Sequence, residues 1–407
     1  MSNNTDPIRK IWRFLLSQYY KKEREIITNP LKIARFKAFV CRLPIRNNKI
    51  LLDNVNGKGY GENPKYIAEE LLNRKKHYKI IWLANNVKEA FPKEIRPINR
   101  YSLRAYYEHA TAKAWVYNSR CGKLTAKRRQ QILLQTWHGG LSLKKVEKDA
   151  EDKLSEKYVR DAKEDGCTAD GILVDSKPNE DLFLNSFWLG NQCELLKYGS
   201  PRVDVLINKK EDAIIKKKVR SALGINETAF FVLYAPTFRD HYTTEGYILN
   251  FEPILKAFEE HFGETTIAYR FHPVARHLTD EMNWGPSCSI DATDYPDVQE
   301  LILAADCVIT DYSSIAYDFA ILRKPAFLCV KDLDDYLNDR GVYDVFYDQP
   351  FTLNRTEQML VDEIRACSLE AMREKIDQFY AKYPSYNHGD ASKKTVDWLE
   401  KKMIKER

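Results

Sequence analysis

The sequence is poor in the features that would mark it as secreted, metal-bound or membrane-spanning. Its eight cysteines, at 41, 121, 167, 193, 288, 307, 329 and 367, are scattered, with no CxxC pair and no His/Cys cluster. That spacing argues against a disulfide framework and a zinc site, and it fits a reducing cytosol. No apolar run approaches the about 20 residues needed to cross a bilayer. The first residues are polar and then basic, which is not the pattern of a secretory signal. Glycine and proline number 16 each and no segment is of low complexity, so the chain reads as folded throughout. A strong charge bias is absent too. A net charge of +6 over 407 residues suits anionic substrates or surfaces without calling for nucleic acid.

What is present is a sizeable apolar core and a repeating order of elements. With 44% hydrophobic and 30% charged residues, the composition is that of a globular protein of two or three domains. Pro7 to Ile27 reads as a helix, with Ile8, Ile11, Trp12, Leu15, Leu16 and Tyr19 on one stripe and Arg9, Lys10, Arg13, Lys21, Lys22 and Arg24 around them. Such a face suits an anionic membrane surface or the protein's own core equally. Strands then alternate with helices. Ile50–Leu52 is followed by the glycine-rich loop Asn56–Gly61, a helix from Pro64 to Leu72, and strands at 78–83, 114–117, 132–136, 171–174 and 195–198. Lys144 to Ala162 reads as an exposed, charged helical region. Gly199-Ser200-Pro201-Arg202 breaks the alternation and reads as a linker or domain edge. Strands resume at 230–234, 266–271, 307–310 and 326–330, an acidic loop runs from Lys331 to Asp339, and helices fill the chain from about Thr356. Two successive β/α halves predict an α/β protein of two doubly wound domains facing a cleft.

Ligands of such sheets lie beyond the carboxyl ends of the strands, and four unusual clusters fall there. His138, in Trp137-His138-Gly139-Gly140, is placed to act as a general base. Thr237 and Arg239, in Ala235-Pro236-Thr237-Phe238-Arg239-Asp240, are candidates to clamp phosphate oxygens. His272, held extended by Pro273, either donates a hydrogen bond to a phosphate or is an ordinary loop histidine. Asp311-Tyr312-Ser313-Ser314 joins a buried strand to a helix whose Ile315, Phe319 and Leu322 share one face. Ser313 and Ser314 at that helix start offer an anion site, or a plain capped turn. Asp311 is expected to turn away from a phosphate and orient the loop. Asp318, one turn on, is a candidate for a ribose hydroxyl or merely solvates the helix, and Arg340 adds a cation beside Gly341. The spacing of His272 and His277 does not suit a metal, and none is expected.

Together these clusters resemble the CDP-glycerol glycerophosphotransferase family, the teichoic acid primases and polymerases. The segments Asn56–Ile67, Gln135–Gly139, Tyr234–Asp240 and Ile309–Ser314 carry the match, with weaker echoes at Asp339–Tyr343 and Gly389–Ser392. The resemblance covers about residues 49 to 400. It implies a GT-B fold, two Rossmann-like domains with the donor in the C-terminal one, and transfer of glycerol or ribitol phosphate from a CDP-alditol to a hydroxyl of a lipid-linked or polymeric acceptor, with CMP released. It implies His138 as the base, His272 at the phosphate, and the Ser313/Ser314 turn at the pyrophosphate; no cofactor is expected, nor a metal where helix dipole and cations neutralise the phosphates. The expected divisions are 1–48, a basic helical region; 49–200, an acceptor and membrane-side domain; 201–388, the donor domain; and 389–407, a helix packing back on the first domain. The expected location is peripheral, on the cytoplasmic face of the membrane. The stretch Gly139–Lys145 departs from the commoner family form, which has a Thr-Pro pair and is one residue shorter. A GT-B glycosyltransferase using a nucleotide sugar, and a non-enzymatic membrane-surface or RNA-binding module, are the competing readings.

Overall fold

A computed structural model describes residues 18, 20–120, 122, 124–237, 249–271 and 290–405, with only the backbone of 340 and 405. Most of the expected helix at Pro7 to Ile27 lies outside the described residues; 20–28 is helical. There Glu23 is buried and its carboxylate accepts from the Leu103 N–H at 2.7 Å, so this face meets the start of the helix Leu103–Thr111.

The first sheet contains β1 (Arg46–Asp53), β2 (Lys79–Ala84), β3 (Ile95–Asn99), β4 (Ala112–Tyr117), β5 (Ile132–Gln135), β6 (Gly171–Leu173) and β7 (Glu194–Leu196) in the order β3-β2-β1-β4-β5-β6-β7. Its β1, β2, β3, β4 and β5 pair in parallel, for instance Leu52 with Trp82 and Val116. The second sheet holds β8 (Phe230–Tyr234), β9 (Thr265–Tyr269), β10 (Ile290–Asp291), β11 (Cys307–Thr310), β12 (Ala326–Cys329) and β13 (Leu353–Asn354), in the parallel order β10-β9-β8-β11-β12-β13. Strands such as β4 and β11 are buried along their whole length. That is why they read as unbroken apolar runs rather than alternating ones. Each sheet reverses its strand order once, between β1 and β4 and between β8 and β11, and ligands of doubly wound sheets sit at such reversals.

Contacts divide the chain into two compact units, one of Met1–Trp137, Thr168–Gly171 and Val396–Arg407, the other of His138–Cys167 and Ile172–Thr395. In the first, the final helix Ala391–Lys405 is tied by Asp397 and Glu400 to Arg74, and by Glu400 to Lys76 and Tyr78. In the second, Gly199–Arg202 is not an open linker. Gly199 takes φ +88°, and Pro201 occupies the first turn of a helix, Pro201–Asn208, where its missing N–H costs nothing.

Two local expectations are corrected. Lys331–Asp339 is not a loop, since Leu333–Arg340 is helical. Leu333, Tyr336 and Leu337 stand at i, i+3 and i+4 and pack against the core, which outweighs the exposed Asp334, Asp335 and Asp339. Lys144 to Ala162 is not one exposed helix. A short 3-10 segment, Glu147–Lys153, precedes the helix Glu156–Thr168, and Glu147 and Ala150 are buried.

Candidate active site

The second unit brings its chemistry together at the reversal between β8 and β11. Thr310 Oγ1 donates to the Ala235 carbonyl at 2.6 Å, tying the two strand ends. Just beyond, Asp311 Oδ1 accepts from the N–H groups of Thr237 (2.8 Å) and Tyr312 (2.7 Å). Asp311 is buried, and this use of its carboxylate is the loop-orienting one expected. Tyr312 stacks flat on Tyr336, with ring centroids 3.6 Å apart, and its hydroxyl donates to Asp332. Those anchors hold Ser313 and Ser314, both part-exposed, at the start of the helix Ile315–Ile321. Ser313 Oγ accepts from Ile315 N–H at 3.4 Å, while the Ser314 side chain makes no capping bond.

The loop bearing His138 belongs to the same unit and crosses this turn. A side-chain carbon at Gly140 would stand 3.8 Å from Ser314 Cβ and 3.4 Å from Arg202 Nη2. Those are ordinary contact distances, and they set the loop backbone next to the turn. His138 itself is exposed. It follows Trp137, a non-glycine residue at φ +53°, a conformation costing of order 1–3 kcal/mol and typical of functional loops. The bend is held from the first unit's own side. Gln135 Oε1 accepts from Trp137 N–H, and Asn63 Nδ2 donates to the Thr136 and Trp137 carbonyls.

Past His138 the loop is fixed twice. Asn179 Nδ2 donates to the Gly140 carbonyl at 3.0 Å. Further on, Lys144 and Val342 form an antiparallel bridge, Lys145 N–H donates to Gly341 O, and Tyr343 N–H donates to Leu143 O. Lys144 also pairs with Asp339. So the stretches around His138, around Ser313/Ser314 and around Gly341 converge.

Asp318, considered for a ribose hydroxyl or for solvating the helix, pairs with an arginine of the same unit. Its two oxygens take Nη1 and Nη2 of Arg202 at 2.6 and 3.1 Å, and both side chains are buried. Beside this pair lies a cavity of about 30 Å³ bordered by Asp175, Arg202, Tyr317, Asp318 and Tyr380, room for one or two waters. Burial pushes the Asp175 carboxyl up, opposed by hydrogen bonds from Asn179 and Ser176 and by the charge of Arg202. His272 and Arg239 lie outside the described residues, as does the Arg340 side chain. Sequence reasoning missed Asp175, Asn179 and Arg202. The available signal was position, since Asp175 follows the carboxyl end of β6 as His138 follows β5.

The comparisons give this arrangement its class. The chain belongs to the CDP-glycerol:poly(glycerophosphate) glycerophosphotransferase family, matched over residues 35–401, and its paired parallel sheets are of the GT-B type. Among its relatives, the teichoic acid poly(glycerol phosphate) polymerase of Bacillus spizizenii is 30% identical over 374 residues, covering 88% of this chain and 93% of that one. The polymerase of the same description from Staphylococcus epidermidis is 29% identical over 421 residues; 98% of this chain is covered, but it spans only 57% of that relative. Among solved structures, a variant of the wall teichoic acid polymerase TagF soaked with CDPG superposes at a TM-score of 0.80 with 26% identity, covering 96% of this chain and 98% of that one.

Proposed function

We propose that the protein transfers glycerol phosphate, or ribitol phosphate, from a CDP-alditol to a hydroxyl of a lipid-linked or polymeric acceptor in teichoic acid synthesis. The observation that carries the reading is the approach of the His138 loop to the Ser314 turn through Gly140. It supports reading His138, two residues before Gly140, as a base acting on a phosphate held at the strand reversal where such sheets bind nucleotides. Family membership and the TagF likeness support the same assignment.

In this mechanism the acceptor oxygen attacks the phosphorus that bears the alditol, and His138 takes the hydroxyl proton. The new O–P bond forms as the bond from that phosphorus to the bridging oxygen breaks, and CMP leaves with the electron pair. A single in-line step inverts the phosphorus and needs no covalent enzyme intermediate. The Ser313/Ser314 turn holds the pyrophosphate, and Thr237 lies beside it through their shared partner Asp311. Arg239, Arg340 and His272 supply further positive charge and donors in the same reading. No metal is required where fixed donors and cations neutralise the phosphates.

A peripheral, cytoplasmic-face location goes with this substrate. Among the described residues no helix is long and apolar enough to cross a membrane. The helix Pro30–Val40 exposes Leu31 and Phe39 alongside Lys32 and Arg35, a mixture suited to an anionic bilayer surface.

A donor panel with a synthetic lipid-linked saccharide acceptor tests the whole reading. CMP should appear with CDP-glycerol or CDP-ribitol, and the acceptor should gain the mass of one or more alditol phosphates. Release of UDP or GDP from a sugar donor would replace it with a glycosyltransferase. His138→Ala should lower turnover by about 10²–10⁴-fold, the usual worth of a general base, and turnover near the wild-type value would remove His138 from that role.

A further inference from the structure

We propose that Asn179 is the positioning residue of this reaction, setting the loop that carries His138 through a side-chain amide clamp on its backbone. The inference rests on the reading of His138 as the base. Asn179 stands in the first turn of the helix Lys177–Ser186, capped by Ser176, and is 1% exposed. At such a position an asparagine side chain ordinarily bonds to nearby backbone or to water. Here it reaches 39 residues back along the chain. Nδ2 donates to Gly140 O at 3.0 Å, and Oδ1 accepts from Ser142 N–H at 3.4 Å. The amide therefore grips one acceptor and one donor of the loop, as a neighbouring strand would, starting two residues after His138.

The direction of the grip is fixed from behind. The second Nδ2 hydrogen goes to Asp175 Oδ1 at 2.7 Å, and that oxygen also accepts from Ser176 Oγ at 3.0 Å. Only an amide nitrogen can face both a carboxylate and a carbonyl, so Asp175 decides which end of Asn179 meets Gly140. Across the loop, Arg202 Nη2 lies 3.4 Å from where a Gly140 side-chain carbon would sit, and Arg202 is held in turn by Asp318. Gly140 thus lies between the amide and the guanidinium. The next fastening, Leu143 to Tyr343, lies three residues further along. Without Asn179, nothing described bonds to the backbone polar groups of Gly140 or Ser142. A shift of about 1 Å at a reacting group can cost 10²-fold in rate.

The test compares wild type with Asn179→Ala, Asn179→Asp, His138→Ala and, as a control on the exposed face of the same helix, Asn185→Ala, with CDP-glycerol as donor and CMP release as readout. Asn179→Ala should lose about 10- to 100-fold in kcat, with KM for CDP-glycerol within about 2-fold of wild type. Asn185→Ala should match wild type. Asn179→Asp sets a second carboxylate against Asp175 and the Gly140 carbonyl, but once protonated it can donate to that carbonyl. Its kcat relative to wild type should therefore rise as pH falls from about 8 to about 6. A purely structural Asn179 would lower the melting temperature and leave kcat per folded molecule, and its pH profile, as in wild type. Folded Asn179→Ala with kcat within about 2-fold of wild type overturns the proposal. If that variant does not fold, an Asn179→Asp profile parallel to wild type overturns it instead. Full turnover in His138→Ala would remove the base and the positioning role together. Loss in His138→Ala with full turnover in Asn179→Ala removes the positioning role alone.

Discussion

The buried pair Arg202–Asp318 offers the sharpest test of how this site is built. Substituting Asp318→Ala removes the carboxylate that accepts from both Nη atoms of Arg202 inside the second unit, where both side chains are buried. Breaking a buried ion pair from one side costs about 3–5 kcal/mol, because the surviving charge stays desolvated. For a unit of this size each kcal/mol moves the melting temperature by about 2–4 °C, so the loss should be roughly 6–20 °C. Replacing both partners, Arg202→Met with Asp318→Leu, should recover most of it, since a well-packed apolar pair is often as stable as the ionic one. Melting followed by near-UV circular dichroism reads the effect, and the KM for CDP-glycerol is measured on the same samples below the transition. If Asp318 instead held the ribose, Asp318→Ala would raise the donor KM and leave the melting temperature within about 2 °C of wild type. That pair of results would refute the structural assignment. The double variant should also lose turnover, because Arg202 braces Gly140.

Gly140→Ala should lower kcat far less than His138→Ala does, since a methyl group there meets Arg202 Nη2 at 3.4 Å and Ser314 Cβ at 3.8 Å, both ordinary contact distances; steady-state CMP release checks it. Lys324 caps the helix Val298–Ala304 by donating to the carbonyls of Ile302, Leu303 and Ala305, and burial pulls its ammonium down to about 8. The native state then binds fewer protons than the unfolded chain between about pH 8 and 10.5, so stability should rise with pH across that window. Urea titrations should show a flatter profile for Lys324→Met. Flotation with anionic liposomes should fall when Leu31→Glu and Phe39→Glu are combined, and should fall with salt in the wild type; flotation unchanged by the double substitution would place the membrane contact elsewhere.

Much of the fold was legible because parallel strands covered on both faces spell their burial locally. Phe230–Tyr234 and Cys307–Thr310 need no partner to be recognised. The helix Leu333–Arg340 was hidden because its charges outnumber the three apolar residues that decide its packing. At the site, residues at strand ends could be picked out singly, as His138 and Asp311 were. The pairs that give them their geometry could not. Arg202 and Asp318 are 116 residues apart and Asn179 and Gly140 are 39 apart, and no local pattern records which distant backbone a buried asparagine will grip. Asp318 shows the converse, where a carboxylate one turn beyond the serines gives no local sign of its bidentate pairing with Arg202.

The antiparallel bridge between Lys144 and Val342 limits where the loop after His138 can change in length. Everything from Leu143 onward is laced to the segment after Gly341, and everything before His138 is set by the bend at Trp137. Length differences between relatives can therefore be absorbed only in the few residues between, without moving either anchor. Those residues form a cassette. Exchanging 140–142 for the Thr-Pro pair, one residue shorter, is the natural chimera to build, since it changes the loop after the candidate base while both flanking frames stay in register.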